Sequence, residues 1–125
     1  MKTEEQFVAS QHIKVKTDFV AFHRYKMAPL EVAFLRTWHR HKFYVTASLP
    51  VRHGNRDIEF FMIKAVMDKF IKAKFEGKSF EASCEMVAAD IAFHLSKKYM
   101  LPVTVEVSED GENSGLTSVA FRRRR

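Results

Sequence analysis

Three histidines carry the strongest chemical signal in the chain: His23, and the pair His39 and His41, separated by one residue. In an extended strand, residues i and i+2 emerge from the same face about 6 to 7 Å apart, so His39 and His41 would aim two imidazoles at one point. Three neutral imidazoles with a fourth position left for water or substrate form the ligand set of a catalytic rather than a structural zinc site. The same nitrogen donors admit iron, cobalt or nickel. Taken by itself, the spacing also fits packed or surface histidines, because His-x-His arises by chance. His12, His53 and His94 carry no such pattern; His53 reads as a turn residue and His94 as a half-buried partner on a helix. The only cysteine, Cys84, falls at a helix start, where the helix dipole favours a thiolate. It suits a small buried filler as well.

These residues need elements to position them. Gln11 to His23 mixes Ile13, Val15, Phe19, Val20 and Phe22 with β-branched Thr17, which favours a strand. Met27-Ala28-Pro29 breaks it, and the chain to Trp38 reads as a connecting excursion with short helical character. His39 to Val51 is again strand-like, with Pro50 at its edge or end. Paired as an antiparallel hairpin, these two strands would bring His23 beside His39 and His41. Turn chemistry at His53-Gly54-Asn55-Arg56-Asp57 precedes a helix marked by Phe60, Ile63, Val66, Met67, Phe70 and Ile71. Met86, Val87, Ile91, His94, Leu95 and Tyr99 mark a second helix, with Ser79 or Ser83 as its N-cap. Val103 to Val107 and Leu116 to Phe121 read as strands around a turn at Asp110-Gly111-Glu112-Asn113. The expected fold is therefore α+β in the order ββααββ: a four-stranded antiparallel sheet with two helices on one face.

With 125 residues, of which 46% are hydrophobic and 13% aromatic, a single domain over residues 1–121 can bury a core without disulfides. One cysteine excludes an intramolecular disulfide and a cysteine-based zinc ribbon, and points to the reducing cytoplasm. Residues 1 to 25 lack a signal-peptide core, and no apolar run reaches the roughly 18 residues of a membrane span. The net charge of +6 admits a nucleic-acid partner as a minor alternative. Four of those charges are a basic C-terminal tail, Arg122 to Arg125, which leaves only about +2 elsewhere.

The ordered motifs resemble a family, the tunnelling-fold 6-pyruvoyl- and 6-carboxy-tetrahydropterin synthases. Phe19-Val20-Ala21-Phe22-His23 is similar to the family's Phe-Ser-Ala-Ala-His-like strand end, and His39-Arg40-His41-Lys42-Phe43 to its His-Gly-His-Asn-Tyr-like strand start. Ile58-Glu59-Phe60 stands where the family has Val-Asp-Phe. Ala82-Ser83-Cys84-Glu85-Met86 resembles its Pro-Thr-Ala-Glu-Asn-like helix start, and Val107-Ser108-Glu109-Asp110-Gly111 its late Glu-Thr-Pro-like turn. The similarity spans roughly residues 13 to 121, and the order of the motifs gives it weight.

The resemblance implies zinc on His23, His39 and His41, polarising side-chain oxygens of a dihydroneopterin triphosphate or a related purine-derived substrate. It further implies that Glu109 accepts paired N–H bonds from the pterin edge, with Glu112 as the alternative carboxylate and Ser83 and Glu85 as further substrate-binding residues. The family's cysteine base is missing from residues 27 to 38, and its Asp-His pair from Lys72 to Phe80. Two functions are thus expected: a diverged lyase-type enzyme of pterin or deazapurine metabolism, or a non-catalytic zinc-containing module that binds a pterin- or purine-like ligand. The resemblance also implies a homo-oligomer, a hexamer of two stacked trimers, in which Glu109 of one chain faces the histidines of its neighbour.

Overall fold

Val15, Phe19 and Ala21 alternate along one strand and Phe43, Val45, Ala47 and Leu49 along the next, and all seven are buried on the same side. They belong to β1 (Gln11–His23) and β2 (His39–Val51), which pair antiparallel over their whole length with His23 directly opposite His39 and Phe19 opposite Phe43. The computed structural model describes residues 5–122, so most of the basic tail, Arg123 to Arg125, lies outside the described residues.

Between β1 and β2 the chain makes an excursion through a 3-10 segment, Leu30–Arg36, none of whose residues is buried. After β2 come α1 (Phe60–Lys74), a two-residue strand β3 (Ser79–Phe80), α2 (Cys84–Tyr99), β4 (Val103–Glu109) and β5 (Asn113–Val119). The sheet order is β3-β1-β2-β4-β5. Four strands and two helices therefore stand as expected from the sequence, with one correction: the sheet has a fifth strand, and β3 runs parallel to β1. Ser79-Phe80 is too short for alternation to be read, and only its pairing with Phe22 and His23 makes it a strand. The last hairpin is also shifted. β4 extends to Glu109, and β5 begins at Asn113 rather than Leu116, because Gly115 and Ser114 pair with Val107 and Ser108.

Both helices cover one face of the sheet. Ile63, Met67 and Ile71 form the buried stripe of α1, and Val87, Ile91 and Leu95 that of α2. Phe60 and Met86, expected on those stripes, lie at the first turns and are largely exposed. Ser83 rather than Ser79 is the N-cap of α2, its hydroxyl accepting from Met86 N at 3.2 Å. Among the described residues no helix is long and apolar enough to cross a membrane.

Candidate metal centre

β1 ends and β2 begins at the same sheet end, so the hairpin register brings His23, His39 and His41 together. One nitrogen from each ring lies within 4.8 Å of the others. Their floor is aromatic: Phe43 meets the His23 ring edge-on at 5.1 Å and the His41 ring at 6.1 Å.

Hydrogen bonds fix the rings. His39 Nδ1 lies 2.8 Å from the Thr37 carbonyl oxygen, which can only accept, so Nδ1 carries a proton and, in a neutral ring, Nε2 the lone pair. His41 Nδ1 lies 2.5 Å from Asp110 Oδ2. The backbone N–H of Lys42 and His41 itself hold the Asp110 carboxyl below the ordinary carboxylate range, so Asp110 accepts from His41 Nδ1, which in a neutral ring leaves the lone pair on Nε2. Asp110 reaches both groups because it adopts a left-handed conformation, φ +52°, in the β4–β5 turn, which an Asp tolerates better than most residues. A carboxylate or carbonyl behind the ring nitrogen is the arrangement that orients histidine ligands around metals.

The Nε2 atoms of His23 and His39 are buried and make no hydrogen bond among the described residues. Orphaned polar atoms of this kind cost about 1–3 kcal/mol each, and a cation between them would remove that cost. His23 Nε2 does have a neighbour, Glu109 Oε1 at 3.0 Å, but in a contact without hydrogen-bond geometry. Burial pushes the His23 pKa down, against the pull of Glu109, and the neutral ring is the form that ligates. Imidazole donors, supporting acceptors and a carboxylate together fit a divalent transition metal of borderline softness.

Beside the histidines opens a cavity of about 560 Å³, with His23, His39, Ser83, Cys84, Glu85 and Glu109 in its wall. That volume is in the range of small-molecule sites. The expected site residues thus lie together. Glu109 reaches the histidines of its own chain, because β4 pairs with β2 and sets Glu109 opposite Phe43. Glu112, the alternative carboxylate, is exposed in the turn. Sequence reasoning missed Asp110 and the Thr37 carbonyl. The signal for Asp110 was an acidic residue heading the turn next to Glu109; the carbonyl left none.

No protein-family model matches the sequence, and no curated protein matches it. Solved structures do. 6-Pyruvoyl tetrahydropterin synthase of Caenorhabditis elegans superposes with a TM-score of 0.70 over 90% of this chain and 97% of that one, at 14% identity. The fold is that of 6-pyruvoyl tetrahydropterin synthase. An uncharacterized protein of Wolinella succinogenes also superposes, with a TM-score of 0.65 at 16% identity, over 88% of this chain and 98% of the other.

Within this synthase fold, Cys84 is no activated nucleophile. Burial, together with the carboxylates of Glu109 and Glu85, pushes its thiol up to about 12, which overrides the helix dipole and leaves the S–H to donate to Glu109 at 3.8 Å. His53 stands in the turn, as its neighbours Gly54 and Asn55 imply. His94 stacks on Phe70 at 4.2 Å, and burial, then Lys98 and Lys97, hold it below the ordinary 6.5. A lowered folded-state pKa means that the unfolded chain binds the proton more readily. His94 thus contributes stability above about pH 6.5 that is lost as pH falls through that value. We expect His94→Gln to lose less of its urea midpoint between pH 7.5 and 5.5 than the parent; equal losses would show that His94 does not titrate on unfolding.

Proposed function

We propose that this chain is a diverged zinc-dependent synthase of lyase type that acts on a pterin- or deazapurine-like, purine-derived substrate. The observation that carries the reading is the pair of orphaned Nε2 atoms on His23 and His39, beside a third imidazole backed by Asp110, at the wall of a ligand-sized cavity. His23, His39 and His41 would hold the ion. Bound there, zinc supplies Lewis acidity to an oxygen of the ligand's side chain. The chain's own groups do the rest. Thr37 and Asp110 keep the ring protons of His39 and His41 on Nδ1. Glu109 accepts two N–H bonds from the amino-pyrimidinone edge, a preference of carboxylates for parallel donors. Ser83 and Glu85 line the same wall.

A second reading, a non-catalytic binding module, draws support from Cys84: a thiol raised to about 12 supplies no base at neutral pH. Both readings require metal and ligand, and both suit a ring-shaped homo-oligomer, since β5 and the short β3 leave the two sheet edges open. Elemental analysis should find about one zinc per chain, and neopterin at 100 times its Kd should stabilise the zinc-loaded protein by about 2.7 kcal/mol. Glu109→Gln should keep the zinc and lose most of that shift, because an amide cannot accept both N–H bonds. Zinc-free protein, or an unchanged shift in Glu109→Gln, would overturn the assignment.

A further inference from the structure

The cavity has a wall that repels anions. Its carboxylates are Glu81, Glu85 and Glu109, whereas among the described residues that line it Arg24 alone carries a permanent positive charge. Arg24 is partly engaged: its Nε donates to Glu81 Oε1 at 2.8 Å and its guanidinium lies 4.4 Å over the Trp38 ring, and the carboxylates outnumber it three to one. The other common device for holding a phosphate, the N-terminus of a helix, is obstructed here. At the start of α2 the Ser83 hydroxyl takes the Met86 N–H. The Glu85 backbone nitrogen lies so close to β5 that a Cβ on Gly115 would come to 2.3 Å from it, which leaves no room there for an anion. Thr117 Oγ1 fastens the same contact by donating to the Glu85 carbonyl at 2.7 Å. Glu85 then adds its own carboxylate to the helix's first turn, where an incoming anion would otherwise sit.

We infer that the site takes an unphosphorylated ligand: a neutral or cationic nucleobase-like ring with an N–H donor edge and a short hydroxylated side chain, not a polyphosphate ester. This rests on the reading of the cavity as a pterin-type site. A triphosphate brings several negative charges against a wall that, among the described residues, carries three carboxylates and one guanidinium, and a divalent ion held by the histidines would have the Asp110 carboxylate behind His41 to offset part of its charge. The N–H edge of a ring meets the same carboxylates as acceptors.

Titration calorimetry of the zinc-loaded protein with dihydroneopterin and with dihydroneopterin triphosphate tests this. At low salt we expect dihydroneopterin to bind at least about tenfold more tightly, and the gap to narrow in 0.5 M salt as the repulsion is screened. Glu85→Lys should narrow it at low salt too. Equal or tighter binding of the triphosphate would overturn the inference while leaving the pterin reading in place. A gap that neither salt nor Glu85→Lys changes would overturn it in favour of a steric limit. If neither compound binds, the pterin reading falls and the inference with it.

Discussion

His39→Ala should lower zinc affinity by at least about a hundredfold and abolish the rise in melting temperature that zinc gives the parent, because it removes one of three ligands from a site that has none to spare. His39 suits the test: among the described residues its Nε2 has no hydrogen-bond partner, so truncation breaks no such bond of that atom. Only the Nδ1 bond to Thr37 is lost, at the cost of a partly exposed carbonyl contact. The apo protein should therefore remain folded. Asp110→Asn provides the graded comparison. It leaves all three imidazoles in place but replaces the carboxylate at His41 Nδ1 by an amide, and changes of this kind reduce affinity by about 10 to 100-fold. Competition with a chromophoric chelator measures both. Wild-type affinity in His39→Ala would show that the histidines do not form one centre.

Phe43→Ala should destabilise the protein by about 3–5 kcal/mol, the cost of emptying a large aromatic from a closed core. That is a large share of a domain's total stability and corresponds to a fall in melting temperature on the order of 10–20 °C. Phe43 is fully buried, stacks on Phe19 at 5.0 Å and meets Phe80 at 5.6 Å. Its ring also supports His23 and His41 from below, so the cavity would loosen the metal centre. Zinc affinity should fall with stability, although Phe43 offers no ligand atom. Phe43→Leu, which refills most of the volume, should cost less than about 1.5 kcal/mol and largely restore zinc binding. A loss below about 1 kcal/mol in Phe43→Ala, by chemical denaturation, would mean that the core repacks around the gap.

Local pattern was enough to define β1, β2, α1 and α2, because the spacing of apolar residues reports which side chains must face a common core, and that demand is written residue by residue. It was also enough to bring His23, His39 and His41 to one end of the sheet, since an antiparallel hairpin joins the end of one strand to the start of the next. Pairing of distant segments lies beyond such reasoning. β3 exists only because Ser79-Phe80 lands beside Phe22-His23, and β5 starts early because Ser114 and Gly115 pair with Ser108 and Val107. Glu109 joins the histidines of its own chain, and Asp110 reaches His41 across an interval of 69 residues, through the register of β4 on β2 and a positive φ in one turn. The state of Cys84 was settled the same way. Its helix position favours a thiolate, but burial beside Glu109, which no neighbour in the sequence announces, raises its pKa instead. Sequence determined which residues could act; tertiary structure decided which carboxylates they meet, because electrostatics depends on distance through space and not along the chain.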